Sequence, residues 1–343
     1  MGRRSARRRD ADPPDAAASE AASDRGDPAS RAQKPTDIPA SGWKQIGRRV
    51  IDNLKRHHVS LLAAGVAFKG ILALFPAMVA AISIWGLATS PEQAARQLED
   101  LAAALPDEAA QLVSTQLEAI ATSDPGTLSI AVTVSLLVAL WAASSGVAGL
   151  IEGCNAAYSE VDERGFLKKR GLALLFMFGA IVFIAVTFTI IAVVPAVLGV
   201  VGLGGPAEVA IRILQWPLLA MLMLGALATV YKYAPDRADP QLRWTSWGAA
   251  IATVLWLLAS AGLAVYVEYF GEFDETYGTF AGIIILMLWL YLTSFVVLLG
   301  AEINAESERQ TLHDTTTGAP QPRGQRGADV ADVTPGEASA RGR

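Results

Sequence analysis

Long apolar runs separated by short charged segments dominate the sequence. Six of them have the length and apolar character of membrane-spanning helices: 60–87, 128–151, 172–198, 211–233, 246–268 and 279–302. A hydrocarbon core of roughly 30 Å requires about 20 apolar residues in a helix. The last run has no charged residue from Tyr277 until Glu302. The pattern predicts an all-α, polytopic integral membrane protein with six transmembrane helices within residues 41–304.

The charges between the runs alternate in sign. Basic residues lie before the first span, after the second and after the fourth: Lys44, Arg48, Arg49, Lys55, Arg56, Arg164, Lys168, Lys169, Arg170, Lys232, Arg237 and Arg243. The loops 89–126 and 269–278 are acidic. Because lysine and arginine are enriched in cytoplasmic loops, the basic loops are predicted to be cytoplasmic. An even number of spans then places both termini in the cytoplasm.

Two segments outside the spans are amphipathic. Apolar side chains recur at helical spacing before the first span, at Trp43, Ile46, Val50 and Leu54. This spacing predicts a helix that lies in the membrane interface, and membrane lipids are better partners for its basic face than nucleic acid. In the loop 89–126 a capping-box pattern and two apolar repeats predict an extracytoplasmic helical hairpin.

Composition supports the membrane class and predicts two polar tails. The 343-residue chain is 52% hydrophobic and only 18% charged, which is too apolar for an ordinary soluble protein. Residues 1–40 and 305–343 are instead rich in small, polar and charged residues and are predicted to be disordered cytoplasmic tails. The single cysteine, Cys154, excludes an internal disulfide.

Four motifs in chain order carry a family resemblance. They are AAGVAFKGILALFP (63–76), SSGVAGLIEGCNAAYSEVDERGFLKKR (144–170), YKYAPDR (231–237) and YFGEFDETYGTFAGIIILMLWLYLTSFVVLLGAEINAE (269–306). Over about residues 41–306 the chain resembles the YihY/BrkB family of bacterial inner-membrane proteins, which has also carried the label ribonuclease BN. The resemblance implies a six-helix inner-membrane protein described as a transporter or a virulence-related factor, with no agreed substrate. Lys69 departs from the family pattern.

Polar residues within or at the ends of the apolar runs are the candidate site. An unpaired lysine within a span costs on the order of 2.5–3.5 kcal/mol, so Lys69 requires compensation. One hypothesis is a polar cavity open to the cytoplasm and lined by Lys69, Glu152, Asn155 and Glu302. The alternative is that Lys69 extends to lipid phosphate and both glutamates are interfacial.

Proline and glycine residues within the spans predict local helix geometry. Pro76 removes a backbone donor and predicts a kink in the first span. Gly149 and Gly153 form a G-x-x-x-G pair, which permits close helix packing and favours internal contacts over dimerisation.

Transport or export of a small molecule or lipid is the function that the sequence favours. The alternative is a non-catalytic scaffold that organises the envelope or contributes to virulence. Ribonuclease activity is disfavoured because the only histidines, His57, His58 and His313, belong to no metal-ligand motif. No catalytic residue, metal or cofactor is predicted, the substrate is unknown, and no oligomeric state is predicted.

Overall fold

The computed structural model describes residues 28–88, 125–193, 206–270 and 281–341. Within them nine α-helices follow two short 3₁₀ turns at Pro28–Arg31 and Pro35–Asp37. The helices are α1 (Ala40–Arg56), α2 (Val59–Ala88), α3 (Pro125–Ala157), α4 (Phe166–Phe188), α5 (Pro206–Tyr233), α6 (Leu242–Phe270), α7 (Ala281–Arg309), α8 (Asp329–Asp332) and α9 (Pro335–Arg341). A π-helical turn, Thr189–Val193, follows α4.

The described helices confirm the all-α, polytopic membrane fold. Five segments are long and apolar enough to cross a membrane: Leu136–Ala157, Phe166–Ile191, Ile213–Tyr233, Leu242–Tyr269 and Ala281–Arg309. Helix α2 contributes a shorter apolar segment, Val59–Ala73. Large apolar side chains on α4, such as Phe178 and Ile184, are exposed. Exposed apolar surface of this extent requires a partner in water, whereas lipid covers it directly.

Helix α7 lies at the centre of the bundle and packs against α1, α2, α3 and α6. Helices α2 and α3 form the most extensive helix pair, while α4 and α5 lie at the periphery. Close approach depends on glycine, since a Cβ at Gly153 would lie 2.5 Å from Leu298 of α7. A Cβ at Gly149 would lie 3.4 Å from Val66 of α2. The predicted packing pair therefore contacts two different helices.

Helix α1 matches the predicted amphipathic helix, and its apolar face contacts protein. Ile46 and Val50 are buried beside Ile38 and Trp244, the latter near the start of α6. The exposed face carries the bases Lys44, Arg48, Lys55 and Arg56. Other parts of the protein thus cover the apolar face of α1.

The predicted disorder is wrong for the described parts of both tails. The Leu312 amide donates to the Ser30 carbonyl at 2.8 Å, and the Thr311 hydroxyl donates to the Ala32 carbonyl at 2.5 Å. The Arg326 guanidinium donates to four backbone carbonyls within the C-terminal segment. Val330 is fully buried in the main core. These segments are too polar to form a hydrophobic core of their own, but they pack against the helical bundle.

Three predictions are not tested by the described residues. The helical hairpin predicted between the first two spans lies outside the described residues. So do the first 27 residues of the N-terminal tail. Pro76 lies within α2, and the kink expected there stays a prediction. The last span was predicted to end at Glu302, whereas α7 continues to Arg309 with its final turns buried.

Candidate functional site

Polar side chains link α1 to the end of α7 in a regular series. Asn53 and His57 follow Arg49 at intervals of one helical turn, and Glu306 and Gln310 follow Glu302 in the same way. These six residues are called the polar ladder: Arg49, Asn53, His57, Glu302, Glu306 and Gln310. The two helices run in opposite directions, because the first member on α1 meets the last on α7.

The contacts of the polar ladder are short. His57 Nδ1 lies 2.6 Å from Glu302 Oε1, and Asn53 Nδ2 donates to Glu306 Oε1 at 3.0 Å. Arg49 Nε donates to Glu306 Oε2 at 2.5 Å, and its Nη2 donates to the Gln310 side chain at 2.5 Å. His57 follows the last residue of α1, and His58 then adopts a positive φ of 50° that turns the chain into α2. The turn places the imidazole beside α7.

Glu302 is the most enclosed member of the polar ladder. Its side chain is 0% exposed, whereas that of His57 is 16% exposed. Its second oxygen, Oε2, is buried without a hydrogen-bond partner among the described residues. Burying a polar atom without a partner costs about 1–3 kcal/mol. Such a cost within a span is typical of a functional position.

A cavity of about 280 Å³ adjoins the polar ladder. Its charged and polar lining residues are Arg49, Asp52, Asn53, Arg56, His57, Ser159, Glu306, Arg309 and Asp329. Val333, which follows α8, and Pro335 and Ala338 of α9 complete the lining. Arg309 donates to Asp329 at 3.0 Å and to Ser159 at 3.1 Å. Acids and bases are nearly balanced, so the cavity is strongly polar without a single dominant sign.

A buried ion pair anchors the loop before α6 to the end of α7. Arg237 makes two hydrogen bonds to the Glu308 carboxylate, at 3.0 and 2.5 Å, and both side chains are 0% exposed. The Thr315 hydroxyl donates to the same carboxylate at 2.6 Å, and the guanidinium stacks over the Tyr158 ring. Burial opposes the charge of Arg237, but Glu308 outweighs it and keeps the pKa of Arg237 above its usual value.

A second polar cluster joins the loops that follow α3 and α5. The Asn155 side chain accepts from the Asp236 amide at 2.7 Å and donates to Asp162 at 3.3 Å. Arg164 donates to both oxygens of Asp162, at 2.9 and 2.8 Å, and to the Ala234 carbonyl at 2.8 Å. The Arg164 guanidinium holds the pKa of Asp162 below its usual value of 3.8. This cluster, the Arg237 pair and the polar ladder form the polar end of the bundle.

The Asp162→Asn substitution is expected to destabilise the protein by about 1.5–3 kcal/mol at neutral pH, because it removes hydrogen bonds to a charged group. A lowered pKa in the folded state gives stability that is present above pH 3.8 and lost as the pH falls through the folded-state value. The variant should therefore lose part of the acid sensitivity of the wild type. Thermal unfolding of detergent-solubilised protein between about pH 6 and about pH 3 measures both effects.

The matched control is Glu163→Gln, which alters the neighbouring exposed carboxylate. It should leave both the stability at neutral pH and the acid sensitivity close to those of the wild type. If Asp162→Asn and Glu163→Gln behave alike, the Asp162 contacts contribute no net stability.

The four predicted cavity residues fall into three places. Glu152 and Asn155 line one open cavity of about 550 Å³, together with neither Lys69 nor Glu302. Glu152 is exposed and Asn155 is buried. Lys69 is half-buried, and its Nζ lies 3.5 Å from where a Gly149 Cβ would stand. Glu302 contacts His57, where the sequence suggested Lys69.

Arg49, Asn53 and His57 were not predicted as site residues, because only the apolar side chains of their helix were used to predict its role. The signal was present, since three polar side chains at i, i+4 and i+8 mirror Glu302, Glu306 and Gln310. Nothing in the sequence identified α1 and α7 as partners. Among the described residues, no group of three or more His, Cys, Asp or Glu side chains is arranged to hold a metal ion.

An apolar groove lies between α3, α4 and α5, away from the polar ladder. It has a volume of about 680 Å³. Gly179 and Phe183 on α4 face Leu222 and Gly225 on α5. Of the described residues that line it, Thr229 alone has a polar side chain, and its hydroxyl donates to the Gly225 carbonyl at 2.8 Å. The groove therefore presents an almost entirely apolar surface.

The profile of the family described as Virulence factor BrkB matches residues 50–325, which include α2 to α7. This chain belongs to the BrkB family. The match covers the groove, the buried ion pair and the polar ladder except Arg49, which lies one residue before it.

Curated relatives of this BrkB-family protein carry either a membrane-protein name or a ribonuclease-like name. The ribonuclease-like protein YfkH of Bacillus subtilis (strain 168) is 28% identical over 256 residues, covering 73% of this chain and 90% of that protein. A UPF0761 membrane protein of Azoarcus sp. (strain BH72) is 29% identical over 263 residues, covering 71% and 59%. A UPF0761 membrane protein of Tolumonas auensis is 39% identical over 100 residues, covering 29% and 32%. No solved structure matches the chain significantly.

Proposed function

We propose that this BrkB-family protein transports a lipid or a lipid-like amphiphile across the bacterial inner membrane. The observation that carries the proposal is the apolar groove between α3, α4 and α5. Its volume of about 680 Å³ falls within the range of about 300–1,000 Å³ typical of ligand sites. Its position among apolar, membrane-length helices gives lipid chains direct access.

The lining of the groove favours an apolar cargo. The hydroxyl of Thr229 is satisfied within its own helix, so the described lining offers no free donor or acceptor side chain to an ion or a sugar. An acyl chain requires none, and its burial is favourable by about 0.8 kcal/mol for each CH₂ group in water. An acyl chain that already lies in the bilayer gains little of this free energy when it enters the groove. Weak net binding suits a site that must also release its cargo.

The polar end of the bundle supports an orientation. Lys44, Arg48, Lys55 and Arg56 are exposed on α1 at this end. Bases at one face of a membrane protein favour the cytoplasmic side and anionic headgroups. We therefore assign the polar end, and with it both terminal segments, to the cytoplasm.

Filling the groove is expected to slow transport. A Cβ at Gly225 meets nothing within 4 Å, so Gly225→Leu should fold while its side chain occupies the groove. Overfilling an apolar site costs about 1–3 kcal/mol, which corresponds to about 5- to 150-fold in rate or affinity. The measurement is the movement of fluorescently labelled phospholipid between the leaflets of vesicles that contain the purified protein.

The matched control is Gly262→Leu on α6, where a Cβ also meets nothing within 4 Å but the position lies outside the groove. It should transport lipid at the wild-type rate. Equal rates for both variants and the wild type would contradict a role for the groove. Wild-type vesicles that move lipid no faster than protein-free vesicles would contradict the lipid as cargo.

We do not extend the ribonuclease-like name of YfkH to this chain. His57 contacts Glu302 through Nδ1 and serves the link between α1 and α7. The groove and the membrane-length helices favour an apolar cargo over a polyanionic RNA.

A further inference from the structure

We infer that the His57–Glu302 pair binds a proton taken up from the adjoining cavity, and that this proton is the ion that drives transport. The second half of the inference rests on the transport function proposed above. The first half concerns the pair alone and is tested separately.

The surroundings of Glu302 favour reversible protonation. The carboxylate is fully buried, and its neighbours on α7 include the buried, apolar Leu298, Ala301 and Ala305. Cys154 on α3 is buried close to it. A buried carboxylate is costly in its charged form unless it is paired and hydrogen-bonded. His57 supplies one partner, and Oε2 has none in the part of the chain that the structure describes.

Charges around the pair come from α1, α7 and α8, and most are already compensated. On α7, Glu306 contacts both Arg49 at 2.5 Å and Arg309 at 3.4 Å. Across the cavity, Asp329 at the start of α8 is paired with Arg309. Asp52 and Arg56 on α1 line the cavity and are exposed. Glu302 is thus the acid of the polar ladder whose compensation depends on a histidine.

His57 connects the buried carboxylate to the cavity. Its side chain lines the cavity while Nδ1 faces Glu302. Its Nε2 has no hydrogen-bond partner within the described part of the chain. Histidine is the side chain whose ordinary pKa permits exchange near neutral pH.

The proton transfer is a simple relay. A proton from cavity water binds His57 Nε2, and the proton on Nδ1 passes to Glu302 Oε1. One proton leaves the cavity and one arrives on the carboxylate. The imidazole is neutral again with its proton on Nε2, and no other bond changes.

The polar ladder gives this event a mechanical consequence. Protonation neutralises Glu302 and changes the contact that holds the end of α1 to α7. Helix α7 packs against α1, α2, α3 and α6, so its position affects most of the bundle. A proton at Glu302 can therefore bias the packing of the transmembrane helices.

Infrared difference spectroscopy tests proton binding directly. The full chain in lipid nanodiscs is compared between about pH 8 and about pH 5, where histidine-linked sites exchange protons. The wild type should show a carboxylic acid band at the lower pH that Glu302→Gln removes. The control Glu152→Gln, at an exposed carboxylate, should keep the band. If the spectrum of Glu302→Gln matches that of the wild type, the proton-binding inference is wrong.

A second variant covers the case in which Glu302→Gln fails to fold. His57→Gln retains a polar side chain but removes the relay, so the midpoint of the carboxylic acid band should shift. An unchanged midpoint in His57→Gln also contradicts the inference.

Vesicles with an imposed pH difference test the driving role. If one proton accompanies each substrate, the lipid distribution between leaflets should change by up to about tenfold for each pH unit. Glu302→Gln should abolish this dependence. Lipid movement that ignores the pH difference would overturn the driving role and leave the proposed function intact. A titrating band without any lipid movement would overturn the proposed function and leave proton binding intact.

Discussion

Replacement of Arg237 by methionine is expected to destabilise the protein by about 3–5 kcal/mol, because it leaves a buried carboxylate without its counter-charge. Glu308 is fully buried and, among its contacts with described residues, would retain the hydrogen bond from Thr315. The Arg237 side chain also packs over Tyr158, so contact is lost along with charge. Thermal unfolding of the full chain in detergent, followed by circular dichroism, measures the loss.

Two variants identify the cause. Arg243→Met removes an exposed guanidinium in the same region, whose side chain contacts Gln241, and should change stability little. The double variant Arg237→Met with Glu308→Leu removes both charges and should recover much of the loss, since buried ion pairs are often replaceable by apolar pairs. If Arg237→Met is as stable as Arg243→Met, the pair contributes nothing to folding.

Replacement of Gly300 by valine is expected to separate α6 and α7. A Cβ at this position would clash with the Tyr231 hydroxyl and lie 2.7 Å from the Ala252 Cβ. The Tyr231 hydroxyl donates to the Val297 carbonyl at 2.8 Å, so the hydrogen bond that links α5 to α7 would also be displaced. Overpacking costs about 1–3 kcal/mol or more, and the rigid backbone neighbours favour the upper end.

Gly282→Val on the same helix is the matched control, because a Cβ there meets nothing within 4 Å. Its thermal midpoint should stay close to that of the wild type, while that of Gly300→Val should fall. Equal midpoints for the two variants would show that α6 and α7 can separate without cost.

The sequence predicted the fold class because apolar run length is a local property. Each run long enough to span the membrane is visible without knowledge of its neighbours, and five described helices are long and apolar enough to cross one. The end of α7 shows the limit of this approach. Glu302 was taken as the end of the last span because charge begins there, yet the helix continues through Glu308 and Arg309 with both side chains buried. A charged residue indicates an exposed position only where no side chain of opposite charge can pair with it.

The candidate site was harder to predict because it depends on which helices meet. Depth in the membrane suggested Lys69 as the partner of Glu302, whereas the structure brings His57 to it from a helix outside the spans. Asn155 was correctly singled out as a notable polar residue, but its contacts are with Asp162 and Asp236 in neighbouring loops. Neither pairing follows from spacing along the chain.

The contact between the two terminal segments has a practical consequence for protein production. Residues 30–32 and 311–312 hold each other through backbone carbonyls, and Val333 and Pro335 help to close the polar cavity. A shortened protein that stops where hydrophobicity ends, near Glu302, would lack Glu308 and leave Arg237 buried without its partner. Affinity tags and truncations should therefore be placed before Pro28 or after Arg341, even though both segments look dispensable by composition.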